Sequence, residues 1–234
     1  SRCPARPAEV RPRRARVERR RQGLHVETVL HPDRIEHPAP RDLLEGLACR
    51  VLQRELHEDH GAARVALVER RSGGGTVLAG PWLLGVSVVL PPDHPLVVPS
   101  VTESYRWFGE AHAAALRRAG IQCQAVRVAT ARAVGRWWRS QPAGTTARWA
   151  CFGALSPWEV MTAGGRKLIG MAQVRRRTGA LLVSGTLLAQ PDWRVLCRVV
   201  DGSAGAAAQL GERASSCEAE LGRQVRPDRM ARLI

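Results

Sequence analysis

The feature that most constrains the fold is a run of predicted strands between residues 149 and 188. "WEVMT" and "RKLIGMAQV" flank Ala-Gly-Gly, which is typical of a tight hairpin turn. A third strand, "GALLVSGTLL", follows a second turn at Thr178 and Gly179. Strands joined by short turns pair antiparallel. This stretch therefore predicts an antiparallel meander.

Further elements are predicted on both sides of the meander. Alternating or apolar runs that end in turn residues predict three more strands, at 63–69, 82–92 and 123–129. A capping box formed by Ser100 and Glu103 predicts a helix from about 101 to 119, and an apolar stripe predicts another within 40–56. Together these elements predict an α+β fold with a mixed, largely antiparallel sheet and flanking helices.

Two segments have weaker patterns. Residues 132–147 are interpreted as an irregular loop. Residues 191–234 are interpreted as two or three short helices, with "DGSAGAAAQ" as a linker between them.

A length of 234 residues suits one domain of ordinary size with an appendage. Residues 1–22 hold nine arginines and almost no large apolar side chain, which predicts a flexible Arg-rich arm. We expect the main domain to span 23–190 and a helical extension of the same domain to span 191–234. No apolar h-region follows the arginines and no apolar run reaches membrane-spanning length, so neither a signal peptide nor a membrane span is predicted.

The formal net charge is +15. One interpretation is a solvated surface of arginines that a GC-rich background supplies. The other two are binding to nucleic acid and binding to an acidic protein partner. The sequence shows no zinc knuckle, recognition-helix pattern or aromatic-basic strand, so nucleic-acid binding rests on charge alone.

Six cysteines are spaced irregularly, without a Cys-x-x-Cys pair. This spacing predicts no metal site and favours structural thiols in a reducing cytosol, that is, a cytoplasmic protein.

Lys167 is the only lysine in the chain and lies near the start of the second meander strand. The rest of the composition, without any Asn, indicates a GC-rich background in which surface lysines drift to arginine. A retained Lys suggests a role for its compact ammonium that a planar guanidinium cannot take. Cys151 precedes it by a loop that hairpin geometry can bring over the Lys167 strand. Because a thiol needs a nearby cation or donor to ionise near neutral pH, Cys151 beside the Lys167 ammonium is a candidate nucleophile, while a single Cys is more often a small buried hydrophobe.

The segment "RRSGGGTV" places three glycines after two arginines, between two predicted strands. Consecutive glycines let the backbone approach a ligand closely. The segment lacks the Walker signature and does not precede a helix as the Rossmann fingerprint does. Its alternatives are a ligand-binding loop and a plain hairpin turn.

Taken in order, Arg-Arg-x-Gly-Gly-Gly, Cys-Phe, Ser-Pro-Trp-Glu, Gly-Arg-Lys-Leu-Ile-Gly-x-Ala-Gln and Gly-Thr resemble the lipoate ligase and octanoyltransferase family. The resemblance covers about residues 62–190. It implies the catalytic fold that this family shares with biotin protein ligases. It also implies that Cys151 forms an acyl-cysteine and that Lys167 contacts the acyl carbonyl. The substrate-binding residues implied are Arg70, Arg71, Ser72, Gly73, Gly74, Gly75, Thr76, Gly170, Ala172, Gln173 and Gly185.

The activity implied is transfer of an octanoyl or lipoyl group from acyl carrier protein to a lysine of a lipoyl-domain or glycine cleavage H-type acceptor. That transfer requires no cofactor. A first alternative is an ATP-dependent lipoate or biotin ligase, which would use ATP and Mg²⁺. A second is a non-catalytic module that binds an acyl carrier.

The sequence departs from the family pattern at three places. Val77 and the residues after it stand where the family has a His, and Ser184 stands where it has another. The family's early strand pair is not recognisable in residues 23–62. Beside the meander, we interpret Trp158 as core and Ser184 as structural, and Glu159 either orients Lys167 or is a solvent-exposed strand residue.

Overall fold

A computed structural model describes residues 25–30, 74–141, 147–200 and 204–234. The predicted arm at 1–22, the helix within 40–56 and the strand at 63–69 lie outside the described residues, as do Arg70, Arg71, Ser72 and Gly73. Among the helices of the described residues, none is both long and apolar enough to cross a membrane.

The described strands form one antiparallel sheet in the order β1-β2-β6-β5-β4-β3. The bounds of these strands are β1 His25–Leu30, β2 Leu83–Leu90, β3 Cys123–Ala125, β4 Val160–Thr162, β5 Lys167–Arg176 and β6 Gly179–Leu187. The predicted meander is confirmed as β4, β5 and β6, and the predicted α+β class is confirmed.

Seven α-helices are seen in the described residues: α1 Val101–Ser104, α2 Arg106–Arg118, α3 Val128–Ser140, α4 Trp193–Val200, α5 Ala204–Arg213, α6 Cys217–Leu221 and α7 Pro227–Leu233. Ser100 caps α1 as predicted, because its Oγ accepts a hydrogen bond from the Glu103 amide at 3.2 Å. A break at Tyr105 divides the predicted helix into α1 and α2, and Gly120 ends it with a φ of +95°.

Several expectations about the elements were wrong. The strand predicted at 123–129 ends at Ala125, since its last residues begin α3, and the described part of 191–234 contains four short helices instead of two or three.

Residues 132–140 belong to α3 instead of a loop, since Ala131, Val134 and Trp138 form an apolar stripe at helical spacing. The alanines of the supposed linker lie in α5, as their high helix propensity allows. Residues 25–30, where no strand was recognised, form β1 and pair with β2.

The two faces of the sheet differ in burial. Leu84, Val86, Val88 and Leu90 of β2 are buried in a core cluster that includes Phe108 of α2, whereas the residues between them are only half-buried. A second cluster holds Phe152 with apolar residues of α4 and α5. The C-terminal helices therefore pack against the 3₁₀ turn Cys151–Gly153, which carries one of the predicted catalytic residues.

Candidate active site

Lys167 is buried, with 1% of its surface exposed, and all three ammonium donors have partners. Its Nζ donates to the carbonyl oxygens of Cys151 at 2.6 Å and Ala154 at 2.9 Å. It also forms an ion pair with Glu159 Oε2 at 2.7 Å. Three oxygens around one nitrogen suit a tetrahedral ammonium and do not suit the planar fork of Arg. This geometry gives a physical reason for the single lysine of the chain.

Glu159 is buried beside Lys167 and is held by the backbone as well. Its Oε2 accepts from the Ser156 amide at 2.7 Å, and its Oε1 accepts from the Met171 amide at 3.0 Å. A buried ion pair persists only when further hydrogen bonds satisfy its charges, which these amides do. Of the two interpretations of Glu159, the one in which it orients Lys167 is therefore confirmed.

The backbone before Glu159 is strained. Trp158 has a φ of 69°, an uncommon conformation for a bulky residue. Its amide donates to Val126 O at 2.6 Å, and its side chain is buried in the core, as predicted. Packing of the side chain thus stabilises the strained backbone at Trp158. The turn formed there directs the Glu159 side chain towards Lys167.

A register shift brings Lys167 to the side of Cys151. Strict alternation along β5 would put Lys167 and Gly170 on opposite faces of the sheet. Met161 pairs with Lys167 but Val160 pairs with Ile169, so one extra residue, Leu168, lies between these pairs. Both Leu168 and Ile169 enter the core as a result.

The Cys151 thiol and the Lys167 ammonium meet above Gly170. The position that a Cβ would take at Gly170 lies 2.6 Å from Cys151 Sγ and 3.6 Å from Lys167 Nζ. A side chain there would collide with the sulfur. Glycine therefore leaves the room that the half-buried thiol occupies, and the predicted proximity of Cys151 and Lys167 is seen in the structure.

The glycine-rich loop holds the segment that carries the thiol. A Cβ at Gly75 would lie only 2.4 Å from Trp149 O and 2.8 Å from Cys151 N. Thr76 N donates to Trp149 O at 2.9 Å, and Cys151 N donates to Thr76 O at 2.8 Å. Gly74 has a φ of 109°, which favours glycine. The glycine-rich loop thus approaches the backbone around Cys151 closely.

Gly170 belongs to a row of glycines across three strands. Gly85 of β2 pairs with Gly185 of β6, and Gly185 pairs with Gly170 of β5. Neighbouring strands are about 4.8 Å apart, so the row forms a floor without side chains that starts below Cys151 Sγ. The side chain of Leu83 lies over the middle of this floor, with Cδ1 3.1 Å from the Cβ position of Gly185.

Strand alternation separates the other predicted residues. Ala172 shares the face of Gly170 and is buried. Gln173 pairs with Leu182 of the core, which puts it on the opposite face, away from Cys151. The prediction that Gln173 belongs to the same substrate site is therefore wrong.

His112 is not a partner of Cys151. It lies on the α2 side of the sheet, where its Nε2 accepts from Ser184 Oγ at 2.8 Å and its Nδ1 donates to Phe108 O at 2.8 Å. Burial lowers the pKa of His112 to about 4, so the ring is neutral near pH 7. The structural interpretation of Ser184 is confirmed.

Two contributors to the site were missed from the sequence. Arg213 of α5 donates to Gly153 O at 2.9 Å and to Trp138 O at 3.1 Å, so it joins the 3₁₀ turn to α3. No local pattern points to it, since the contact spans 60 residues. Gly85 had a signal, because a glycine inside an apolar strand often marks a close approach.

The family follows from comparison of the sequence with known proteins. The model of the lipoyl protein ligase A/B catalytic domain matches residues 51–234, and the chain belongs to this family. The relatives include octanoyltransferase LipM of Moorella thermoacetica, which is 40% identical over 53% of this chain and 41% of the relative.

A second octanoyltransferase LipM, from Kyrpidia tusciae, is 34% identical over 56% of this chain and 44% of the relative. The matched region is thus less than half the length of either relative. Among solved structures, a putative lipoate protein ligase from T. acidophilum with bound lipoic acid is 20% identical, with a TM-score of 0.45, over 70% of this chain and 53% of that chain.

Proposed function

We propose that this chain transfers an octanoyl or lipoyl group from an acyl carrier thioester, through an acyl-cysteine at Cys151, to a lysine of an acceptor protein. The observation that carries the proposal is the proximity of Cys151 Sγ and Lys167 Nζ above Gly170, at 2.6 Å and 3.6 Å from the Cβ position of that glycine. Two relatives named octanoyltransferase support the choice of reaction.

In the first step the Cys151 thiolate attacks the thioester carbonyl carbon. The carbonyl oxygen gains negative charge above Gly170, and the positive charge of the Lys167 ammonium attracts it through space, since the three donors of that ammonium already have partners. The bond from the carbonyl carbon to the carrier sulfur then breaks, and the carrier leaves as a thiolate that takes up a proton. Cys151 is left as a thioester whose acyl chain extends over the glycine row.

In the second step the neutral amine of the acceptor lysine attacks the acyl-cysteine. An amide bond forms, the Cys151 thiolate leaves, and the amine loses its proton. We propose a lipoyl domain or a glycine cleavage H-type protein as the acceptor. Gly74, Gly75, Thr76, Gly170, Ala172 and Gly185 would surround the acyl group, and the proposal extends to Arg70, Arg71, Ser72 and Gly73 by resemblance alone.

The proposed transfer uses no cofactor, because the thioester itself activates the acyl group. A reducing compartment such as the cytoplasm suits the reaction, since the nucleophile must stay a free thiol.

Intact-protein mass spectrometry after mixing the chain with octanoyl-acyl carrier protein, without ATP, tests the proposal. We expect a gain of one octanoyl group on the parent and none on Cys151→Ala. No adduct on the parent would contradict the transferase. An acyl-adenylate formed only when ATP, Mg²⁺ and free lipoate are added would indicate the ligase alternative instead.

A further inference from the structure

A groove with a volume of about 270 Å³ lies between α3 and the loop that follows Ala154. Three arginines line its helix side, and Leu155 and Pro157 line its loop side. Gly135 lies between the arginines and leaves room in the middle of the groove. The arginines are Arg132, Arg136 and Arg139.

The positive charge of this groove is uncompensated. Arg132, Arg136 and Arg139 are exposed, and they make no ion pair or side-chain hydrogen bond with any residue that the structure describes. The spacing of four and then three residues puts them on one face of α3, which contains no acidic residue. Like charges at this spacing destabilise a helix, so an anionic partner would gain by neutralising them.

Some arginines of the described surface have carboxylate partners. Arg106 pairs with Glu110, and Arg194 pairs with Asp192. The groove differs from these sites because three arginines without a carboxylate partner lie together around one depression.

The groove adjoins the candidate active site. Leu155 directly follows Ala154, whose carbonyl oxygen accepts a hydrogen bond from Lys167 Nζ. Arg213 joins Trp138 of α3 to Gly153 of the turn that carries the thiol. A partner bound in the groove is thus held beside the loop that positions Cys151.

We propose that this groove docks the acyl carrier protein that delivers the thioester, and this inference rests on the proposed function. A carrier presents carboxylates and the phosphodiester of its pantetheine arm, and the guanidinium fork of Arg binds both groups in a bidentate manner. An apolar side chain of the carrier packs at the centre of that contact, against Leu155 and Pro157 and in the gap at Gly135.

The test compares two acyl donors with an Arg132→Glu/Arg136→Glu variant. One donor is octanoyl-acyl carrier protein, and the other is octanoyl-N-acetylcysteamine, an uncharged thioester that needs no docking. We expect the rate constant for acylation of Cys151 by the carrier donor to fall at least tenfold, with the rate for the small donor unchanged.

The matched control is Arg223→Glu/Arg229→Glu, which changes the net charge equally at exposed positions outside the groove. An equal fall in this control would overturn the docking site in favour of general charge steering. An unchanged rate with the carrier, or an equal loss with the small donor, would also overturn it. A parent acylated by neither donor would contradict the proposed function itself, and the docking proposal with it.

Discussion

The buried ion pair of Lys167 and Glu159 depends on a small number of individual hydrogen bonds. Each Lys167 donor has an oxygen partner, and two backbone amides complete the carboxylate. The need for glycine at position 170 is equally local, because one methyl group there would collide with the Cys151 sulfur. At this scale the sequence predicted the Lys–Cys proximity. The reason for Lys instead of Arg required the three oxygen positions, which no sequence pattern gives.

Replacement of Glu159 by Gln should destabilise the protein by about 3–5 kcal/mol, because it leaves the Lys167 charge buried without a counter-ion. Urea unfolding measures this loss. The double variant Glu159→Leu/Lys167→Met should regain only part of the stability, since it removes both charges but leaves the Ser156 and Met171 amides and two carbonyl oxygens without these partners. It should not form the acyl-cysteine. Equal stability of the single variant and the parent would argue against a charged pair.

The thiols should differ sharply in reactivity. Burial raises the pKa of Cys123 to about 11 and the pKa of Cys217 to about 12, whereas Cys151 is half-buried above Gly170. We expect iodoacetamide at pH 8 to alkylate Cys151 well before the other two, as peptide mapping by mass spectrometry would show. The urea-unfolded chain is the control, and there all three should react alike. Comparable labelling in the folded chain would contradict the burial.

At the scale of elements, the pairing of β5 with β4 and β6 determines which side chains come into contact. The hairpins were predicted because their turns have clear local signals. The extra residue Leu168 was not, because a register shift arises from pairing with β4 and from the demands of the core. Gln173 was included in the substrate site by resemblance alone, although strand alternation places it opposite Gly170. The helix α3 was interpreted as a loop because its N-cap residue makes no side-chain bond, so the usual start signal is missing.

The side chain of Leu83 should limit the acyl chain, because it lies over Gly185 in the middle of the glycine row. We expect Leu83→Ala to raise the rate for decanoyl and dodecanoyl donors relative to octanoyl by about tenfold. Leu181→Ala, on the same strand face but at a pair that does not include the glycines, is the control. An unchanged chain-length profile for Leu83→Ala would show that the chain does not follow this row.

Packing of α2 on the sheet should weaken in acid. Burial lowers the pKa of His112 to about 4, against an ordinary value of 6.5, so the unfolded chain binds the proton more readily. The contribution is complete above pH 6.5 and is lost as the pH falls towards 4, at a cost of about 3 kcal/mol. We expect urea unfolding of His112→Gln to depend less on pH between 7 and 4.5 than that of the parent. Parallel pH profiles would contradict this assignment.

At the scale of the whole molecule, the C-terminal helices take part in the site. α5 packs its apolar side in the cluster around Phe152, and its Arg213 bonds two carbonyl oxygens that belong to other elements. The sequence predicted a helical extension of the domain but no role for it. The division of the chain at residues 22 and 190 stays a prediction.

Replacement of Arg213 by Met should slow acylation of Cys151, because the 3₁₀ turn loses its link to α3. Two buried carbonyl oxygens lose their donor, each at a cost of about 1–3 kcal/mol. Arg117→Met is the matched control, since Arg117 also bonds a carbonyl oxygen, that of Cys123, but does not contact the turn. Octanoylation followed by mass, beside urea unfolding, measures both effects. Equal slowing in the two variants would show that Arg213 acts through general stability.

The position of Arg213 in the sequence has a consequence for the newly made protein. Synthesis proceeds from the N-terminus, so Cys151, Glu159 and Lys167 leave the ribosome before Arg213 does. Until α5 is made and folds back, the turn that bears the thiol lacks one of its anchors. The growing chain therefore carries the Cys151 thiol before this turn is fully anchored, and we expect the thiol to become acylated only after α5 has packed against the turn.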